Sequence, residues 1–85
     1  MAIEMLYFAW VREATGMGGE TVAPPETVRT VADLIDWLAA RGEGHARAFG
    51  EPARLRAAID QEFVPLDHDL AGAREIAIFP PVTGG

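Results

Sequence analysis

Residues 74–85 read REIAIFPPVTGG. Arg74–Phe79 has the composition of a strand, β-branched and aromatic residues ended by proline. Alternation puts Ile76 and Ile78 on one face and Ala77 and Phe79 on the other. Pro80-Pro81 ends the strand and holds the chain extended as it leaves the sheet. Gly84 and Gly85 have no Cβ, so their backbone can thread a narrow channel and approach another active site closely. Four residues beyond Pro81 reach about 13–14 Å when extended. The end of the chain reads as a carboxylate projected from a rigid body. A frayed terminus is the alternative.

Working back from this strand, Ala2–Val11 (AIEMLYFAWV) reads as a second long strand. Ile3, Met5, Tyr7 and Ala9 fall on one face, and Glu4, Leu6, Phe8 and Trp10 on the other. Arg12–Gly19 carries three glycines and reads as a turn. Glu20–Ala23 is a short strand stopped by Pro24-Pro25, so the two strands are expected to form a hairpin. Thr30–Arg41 is the clearest helix. Val31, Leu34, Ile35 and Leu38 make one stripe at helical spacing. Thr30 caps the start, with Asp33 as a short-armed capping-box partner. Arg41 suits the C-terminal dipole, and Gly42 is expected to take the left-handed stop. Trp37 flanks the core.

Glu43–Pro52 (EGHARAFGEP) says least; it holds at most one helical turn, and His45 reads as solvated. Arg54–Ile59 is a strand, Asp60-Gln61 a turn, and Glu62–Val64 a short strand ended by Pro65. Asp67-His68-Asp69 reads as a turn and capping loop, since neighbouring loop residues rarely converge on one point. The order is strand, strand, helix, strand, short strand, strand. With the last strand beside the first and the helix across one face, this is an α+β, ubiquitin-like β-grasp. It has a mixed sheet of four to five strands over residues 1–79 and a flexible Gly-Gly tail over 80–85.

The chain has 85 residues, with 13 acidic against 7 basic, a net charge of −6. It can bury one thin core, about 60–65% of the surface its unfolded form exposes. No cysteine is present, which excludes disulfides, thiolate metal sites and a cysteine nucleophile. The acidic balance argues against nucleic acid as a partner. No apolar run approaches the roughly 20 residues needed to span a bilayer, and no signal peptide is visible, so no membrane role is expected. The composition is compatible with the cytoplasm. All seven basic residues are arginine. That is either drift in composition or an advantage to a chain whose activated end would be captured by amines.

Phosphate-loop, nucleophile-elbow and zinc-protease motifs are absent. Glycines 16, 18 and 19 read as a hairpin turn rather than a phosphate cradle, and no metal site is expected. What remains is an outward face. If Met5, Tyr7, Ile76 and Ile78 face the helix, then Phe8, Ala77 and Phe79 point away from it, and Phe63 can join them. Exposed, such a patch marks an interface; covered by a loop, it is ordinary packing.

FPPVTGG at 79–85, with LYFAWVRE at 6–13, closely resembles the MoaD-like sulfur carriers, the small subunits of molybdopterin synthase in the ubiquitin-like superfamily. The element order extends the resemblance over nearly the whole chain, except residues 42–54. The resemblance implies a cytoplasmic cycle. An E1-like adenylyltransferase uses ATP and magnesium to convert the Gly85 carboxylate to an acyl-adenylate. Sulfur from a sulfurtransferase replaces AMP, leaving a thiocarboxylate, 1-thioglycine, with no cofactor bound. The tail (Pro80, Pro81, Val82, Thr83, and Gly84 for threading) enters the large catalytic subunit of molybdopterin synthase. There Gly85 donates sulfur to cyclic pyranopterin monophosphate in molybdenum cofactor biosynthesis. The implied assembly is a heterotetramer, two carriers flanking a dimer of large subunits. Phe8, Phe63, Ala77 and Phe79 would be gripped by both partners, and Arg12 would make a polar contact. The carrier is not catalytic by itself. The alternatives are a sulfur carrier for thiamine thiazole, tRNA thiolation or cysteine, a ubiquitin-like modifier of proteins, and a plain interaction domain.

Overall fold

The computed structural model describes residues 2–81. Its elements are β1 (Ile3–Tyr7), α1 (Ala9–Thr15), β2 (Gly19–Val22), α2 (Val31–Ala39), α3 (Glu43–Phe49), a 3-10 turn (Pro52–Arg54), β3 (Arg56–Ile59), β4 (Glu62–Val64) and β5 (Glu75–Phe79). The sheet order is β2-β1-β5-β3-β4. β1 and β5 run parallel at its centre, with Met5 opposite Ile76 and Tyr7 opposite Ile78. The other pairings are antiparallel. This is the expected α+β β-grasp, with all five strands in one mixed sheet.

The inner face of the sheet follows the alternation. Ile3, Met5, Tyr7, Ile76 and Ile78 are buried, and the α2 stripe of Val31, Leu34, Ile35 and Leu38 is buried with them. Each of these large side chains contributes about 1.5–3 kcal/mol by leaving water. The α2 cap is reciprocal. Asp33 N–H donates to Thr30 Oγ1 at 3.1 Å, while Asp33 Oδ2 accepts from the Thr30 and Arg29 N–H groups at 3.2 and 3.1 Å. The Arg29 bond, then the Thr30 bond, hold the Asp33 carboxyl below its ordinary range. A carboxyl whose folded pKa is depressed stabilises the fold above its unfolded pKa, and that contribution is lost as pH falls through the folded value. Asp33→Asn is therefore expected to lower the melting temperature by a few degrees at neutral pH. The gap from the parent should close on acidification through the carboxylate range. Melting curves by circular dichroism across that range check this; a gap independent of pH would remove the charge from the account.

Several expectations are corrected. First, β1 ends at Tyr7, and residues 9–15 are helical rather than strand and turn. Phe8 is extended, Ala9 sits at φ +53°, and that left-handed step turns strand into helix. Gly16, at φ +77°, stops α1, its N–H donating to the Arg12 carbonyl at 2.9 Å. β1 and β2 pair as expected, but a helix joins them instead of a tight hairpin turn. Second, Gly42 is not a left-handed stop. Its φ of 165° is extended backbone, and it leads into α3; α2 ends at Ala40 with an N–H bond to the Trp37 carbonyl.

Third, residues 43–49 form a full helix that completes the core. Phe49 and Ala48 are buried, and Phe49 lies 5.4 Å from the Tyr7 ring between centroids. Gly44 permits this packing, because a Cβ there would meet the Ala14 carbonyl oxygen at 2.5 Å. The segment read as a third strand from Arg54 starts two residues later, at Arg56, after the 3-10 turn. Asp60 and Gln61, at φ 48° and 73°, make the two-residue turn between β3 and β4. In the 67–69 loop, Asp69 Oδ1 accepts from the Ala71 N–H at 2.6 Å, and His68 Nδ1 meets the Asp69 carbonyl at 2.8 Å. Those are turn bonds, as expected. Trp37 is half-buried against the core with the Arg41 guanidinium 4.7 Å above its ring.

Candidate functional site

The outer face of the sheet carries the opposite alternation. Cross-strand register sets Phe63 against Ala58, Ala58 against Ala77, and Arg56 against Phe79. Phe63 is 82% exposed and Phe8 49%, an unusual display for a chain this small. The Phe63 and Phe79 rings stand 5.7 Å apart, tilted by 51°. They wall a groove of about 650 Å³ lined by Phe8, Ala58, Phe63, Ala77, Phe79 and Pro80, with Ala9, Gln61 and Pro81 at its margins. No loop covers it. Ala58 and Ala77 form its low floor and the phenylalanines its rim, a shape suited to receiving apolar side chains.

The structure thus brings together Phe8, Phe63, Ala77, Phe79, Pro80 and Pro81. Arg12 lies apart. It sits on α1, beside a separate polar concavity with Glu13, Gly16, Met17 and Gly18, and reaches the groove's neighbourhood only through Ala9. Val82, Thr83, Gly84 and Gly85 lie outside the described residues. Sequence reading missed Ala58, Gln61 and Arg56. The β3–β4–β5 register names Ala58 and Arg56, but that register becomes legible only when the strand order is fixed.

A second cluster was also missed. Tyr7 O–H donates to Glu20 Oε2 at 2.7 Å, and His45 Nε2 contacts the same oxygen at 2.6 Å. His45 is therefore not solvated: its side chain is 12% exposed and that of Glu20 17%. Burial, then the bond to Glu20, push the Tyr7 phenol far above its ordinary range, so it stays a donor. Burial raises the Glu20 carboxyl, but bonds from His45 and Tyr7 and the charge of Arg41 outweigh it and hold the group low. This cluster ties β1, β2 and α3 together. It is closed by packing and faces the helices, so its role is architectural. Among the described residues no three His, Cys, Asp or Glu side chains gather as a metal site. No helix there is long and apolar enough to cross a membrane.

The ThiS family profile matches residues 5–85. The molybdopterin synthase sulfur carrier subunit of Escherichia coli K12 is 42% identical over 83 residues, covering 98% of this chain and 99% of that one. Its human counterpart is 33% identical over 86 residues, covering 98% and 93%. Among solved structures, SAMP1 from Haloferax volcanii superposes with a TM-score of 0.74 at 28% identity over the full length of both chains. A sequence match from the middle of β1 through Gly85, together with the same sheet, makes this chain a member of the ThiS family.

Proposed function

We propose that this protein is the sulfur carrier subunit of molybdopterin synthase, acting in the cytoplasm through a Gly85 thiocarboxylate. The observation that carries the reading is the open apolar groove running to Pro80-Pro81, the point from which the Val-Thr-Gly-Gly sequence continues. The relatives bearing that name match this chain across nearly its whole length.

The chemistry divides between this chain and its partners. A carboxylate is a poor electrophile, so an E1-like enzyme joins it to the α-phosphorus of ATP and releases pyrophosphate. Sulfide-level sulfur delivered by a sulfurtransferase then displaces AMP at the acyl carbon, AMP leaving with the C–O bonding pair. The thiocarboxylate is a soft nucleophile on a tether, presented to cyclic pyranopterin monophosphate inside the large subunit. Each dithiolene takes two sulfurs, so two charged carriers are spent. The basic pocket for the anionic pterin belongs to the large subunit, because this chain has no lysine and a net charge of −6. In this scheme the carrier supplies the groove for docking, the proline pair for direction and the glycines for access.

Intact-mass spectrometry tests the reading. After incubation with the adenylyltransferase, a sulfurtransferase, a sulfur donor and ATP with magnesium, the mass should change by one oxygen replaced by one sulfur, located at Gly85. The product should support molybdopterin formation with the large subunit, and a chain lacking Gly84 and Gly85 should do neither. An unchanged mass in the parent chain would overturn the reading.

A second reading is favoured by one observation: a solved structure called H. volcanii small archaeal modifier protein 1 superposes with a TM-score of 0.71 at 27% identity, covering 95% of this chain and 98% of that one. Gly85 would then form amides with lysines of other proteins. High-mass adducts on immunoblots, lost when Gly85 is deleted, would mark that activity.

A further inference from the structure

Five described residues hold a left-handed backbone: Ala9 at φ +53°, Asp60 at +48°, Gln61 at +73°, and Gly16 and Gly72 at +77° and +78°. Side chains disfavour this region because Cβ crowds the following carbonyl oxygen, and glycine takes it freely. Gly16 and Gly72 follow that rule. A Cβ at either would meet no atom within 4 Å, so the backbone conformation alone argues for glycine there. Asp60 has a local reason to depart from it: its Oδ1 accepts from the Arg74 and Glu75 N–H groups at 3.2 and 3.0 Å. Ala9 and Gln61 lack such a reason. Ala9 has only a methyl group, and Gln61 makes no side-chain hydrogen bond among the described residues. Both are exposed, so neither side chain adds to the core.

What Ala9 and Gln61 share is the groove. Both line it, and Gln61 brings the only polar side chain to a lining otherwise of alanine, phenylalanine and proline. They stand at its two ends. Ala9 lies two residues beyond Tyr7, which pairs with Ile78 at the tail-exit end of the sheet. Gln61 lies two residues beyond Ile59, which pairs with Ile76 toward the opposite end. The left-handed glycines line no part of the groove. Strained non-glycine residues concentrate where a site, rather than the fold, needs the side chain.

We propose that Ala9 and Gln61 are contact residues for the large catalytic subunit, kept against backbone strain because their side chains seat that partner at the two ends of the groove. This deepens the function proposed above and rests on it, and the large subunit is the one occupant. The matched relatives are named as subunits of molybdopterin synthase, which makes the other subunit the partner for an open apolar surface. The Ala9 methyl group fills space where glycine would leave a gap against an apolar partner. The Gln61 amide both donates and accepts. A lone polar group on an apolar wall fixes the partner's register, because a misplaced partner would bury that amide unpaired.

The test uses full-length chains and the purified large subunit. Ala9→Gly and Gln61→Gly relieve the backbone, so each is expected to raise the melting temperature of the free chain by about 3–6 °C. Each is also expected to weaken binding in titration calorimetry, by about threefold for Ala9→Gly and about tenfold for Gln61→Gly. A residue that serves only the fold would not move the two readings in opposite directions. Asparagine takes the left-handed region without the freedom of glycine, so Ala9→Asn separates loss of the methyl group from gain of backbone motion. It should still bind less well than the parent, with an amide standing where the methyl group was. A melting temperature at or below the parent's in either glycine variant would overturn the proposal. So would parental affinity in any of the three variants, or a deficit found with the adenylyltransferase and not with the large subunit. Failure of the parent chain to take sulfur at Gly85 would instead sink the function proposed above, and intact mass reads that separately.

Discussion

Phe79→Asp is expected to weaken association with the large subunit by about a hundredfold while the far-ultraviolet spectrum stays that of the parent. Aromatic anchors at the centre of an interface commonly carry more than 2 kcal/mol, and a hundredfold loss is about 2.7 kcal/mol. Phe79 is such an anchor by position. It walls the groove against Phe63, stands across from Arg56 and leads straight into Pro80. An aspartate would place a charge on the surface that has to lose its water. Phe79 is half-buried, so the substitution also removes some packing; Phe63→Asp controls for that, because Phe63 is 82% exposed and contributes little to the core. Titration calorimetry with parent and variants measures the effect. Binding by both variants at parental affinity would mean that the groove is not where the partner sits.

The second large effect concerns stability. Phe49→Ala should destabilise the fold by about 3–5 kcal/mol, the usual result of emptying a buried phenylalanine site. A chain of this length has only about 4–13 kcal/mol in total. The melting temperature should fall by roughly 15 °C or more. Phe49 packs on Tyr7, and Tyr7 is tied through Glu20 to His45 on the same helix as Phe49. The loss therefore loosens α3 from both β1 and β2. Chemical denaturation followed by tryptophan fluorescence gives the number, and a loss below about 1 kcal/mol would show that α3 is peripheral.

That helix was the part of the fold least visible in the sequence, for a physical reason. A seven-residue helix with two buried positions, Ala48 and Phe49, is too short to display a periodic stripe. Its docking depends on Gly44 meeting the Ala14 carbonyl, a contact between segments thirty residues apart. α1 was hidden differently. Phe8, Ala9, Trp10 and Val11 continue the apolar run of β1, and nothing in their composition marks the left-handed step at Ala9. By contrast, α2 and β5 were legible. Both carry a clean period and one firm boundary: the Thr30–Asp33 cap at the start of α2, and Pro80-Pro81 at the end of β5. The aromatic groove was legible for the same reason, since it is the outward face of strands whose alternate residues are core. Its basic margin was not, because Arg56 gains meaning only from its register with Phe79.

The parallel pairing of β1 with β5 joins residues 3–7 to residues 75–79 at the centre of the sheet. A nascent polypeptide leaving the ribosome cannot close this sheet until almost its entire length has emerged. The groove, built from β1, β3, β4 and β5, does not exist before then. Any enzyme that grips the groove before handling the last residues reads completion of folding in the same act. A full-length but misfolded copy, though it bears the same glycines, offers that enzyme nothing to hold.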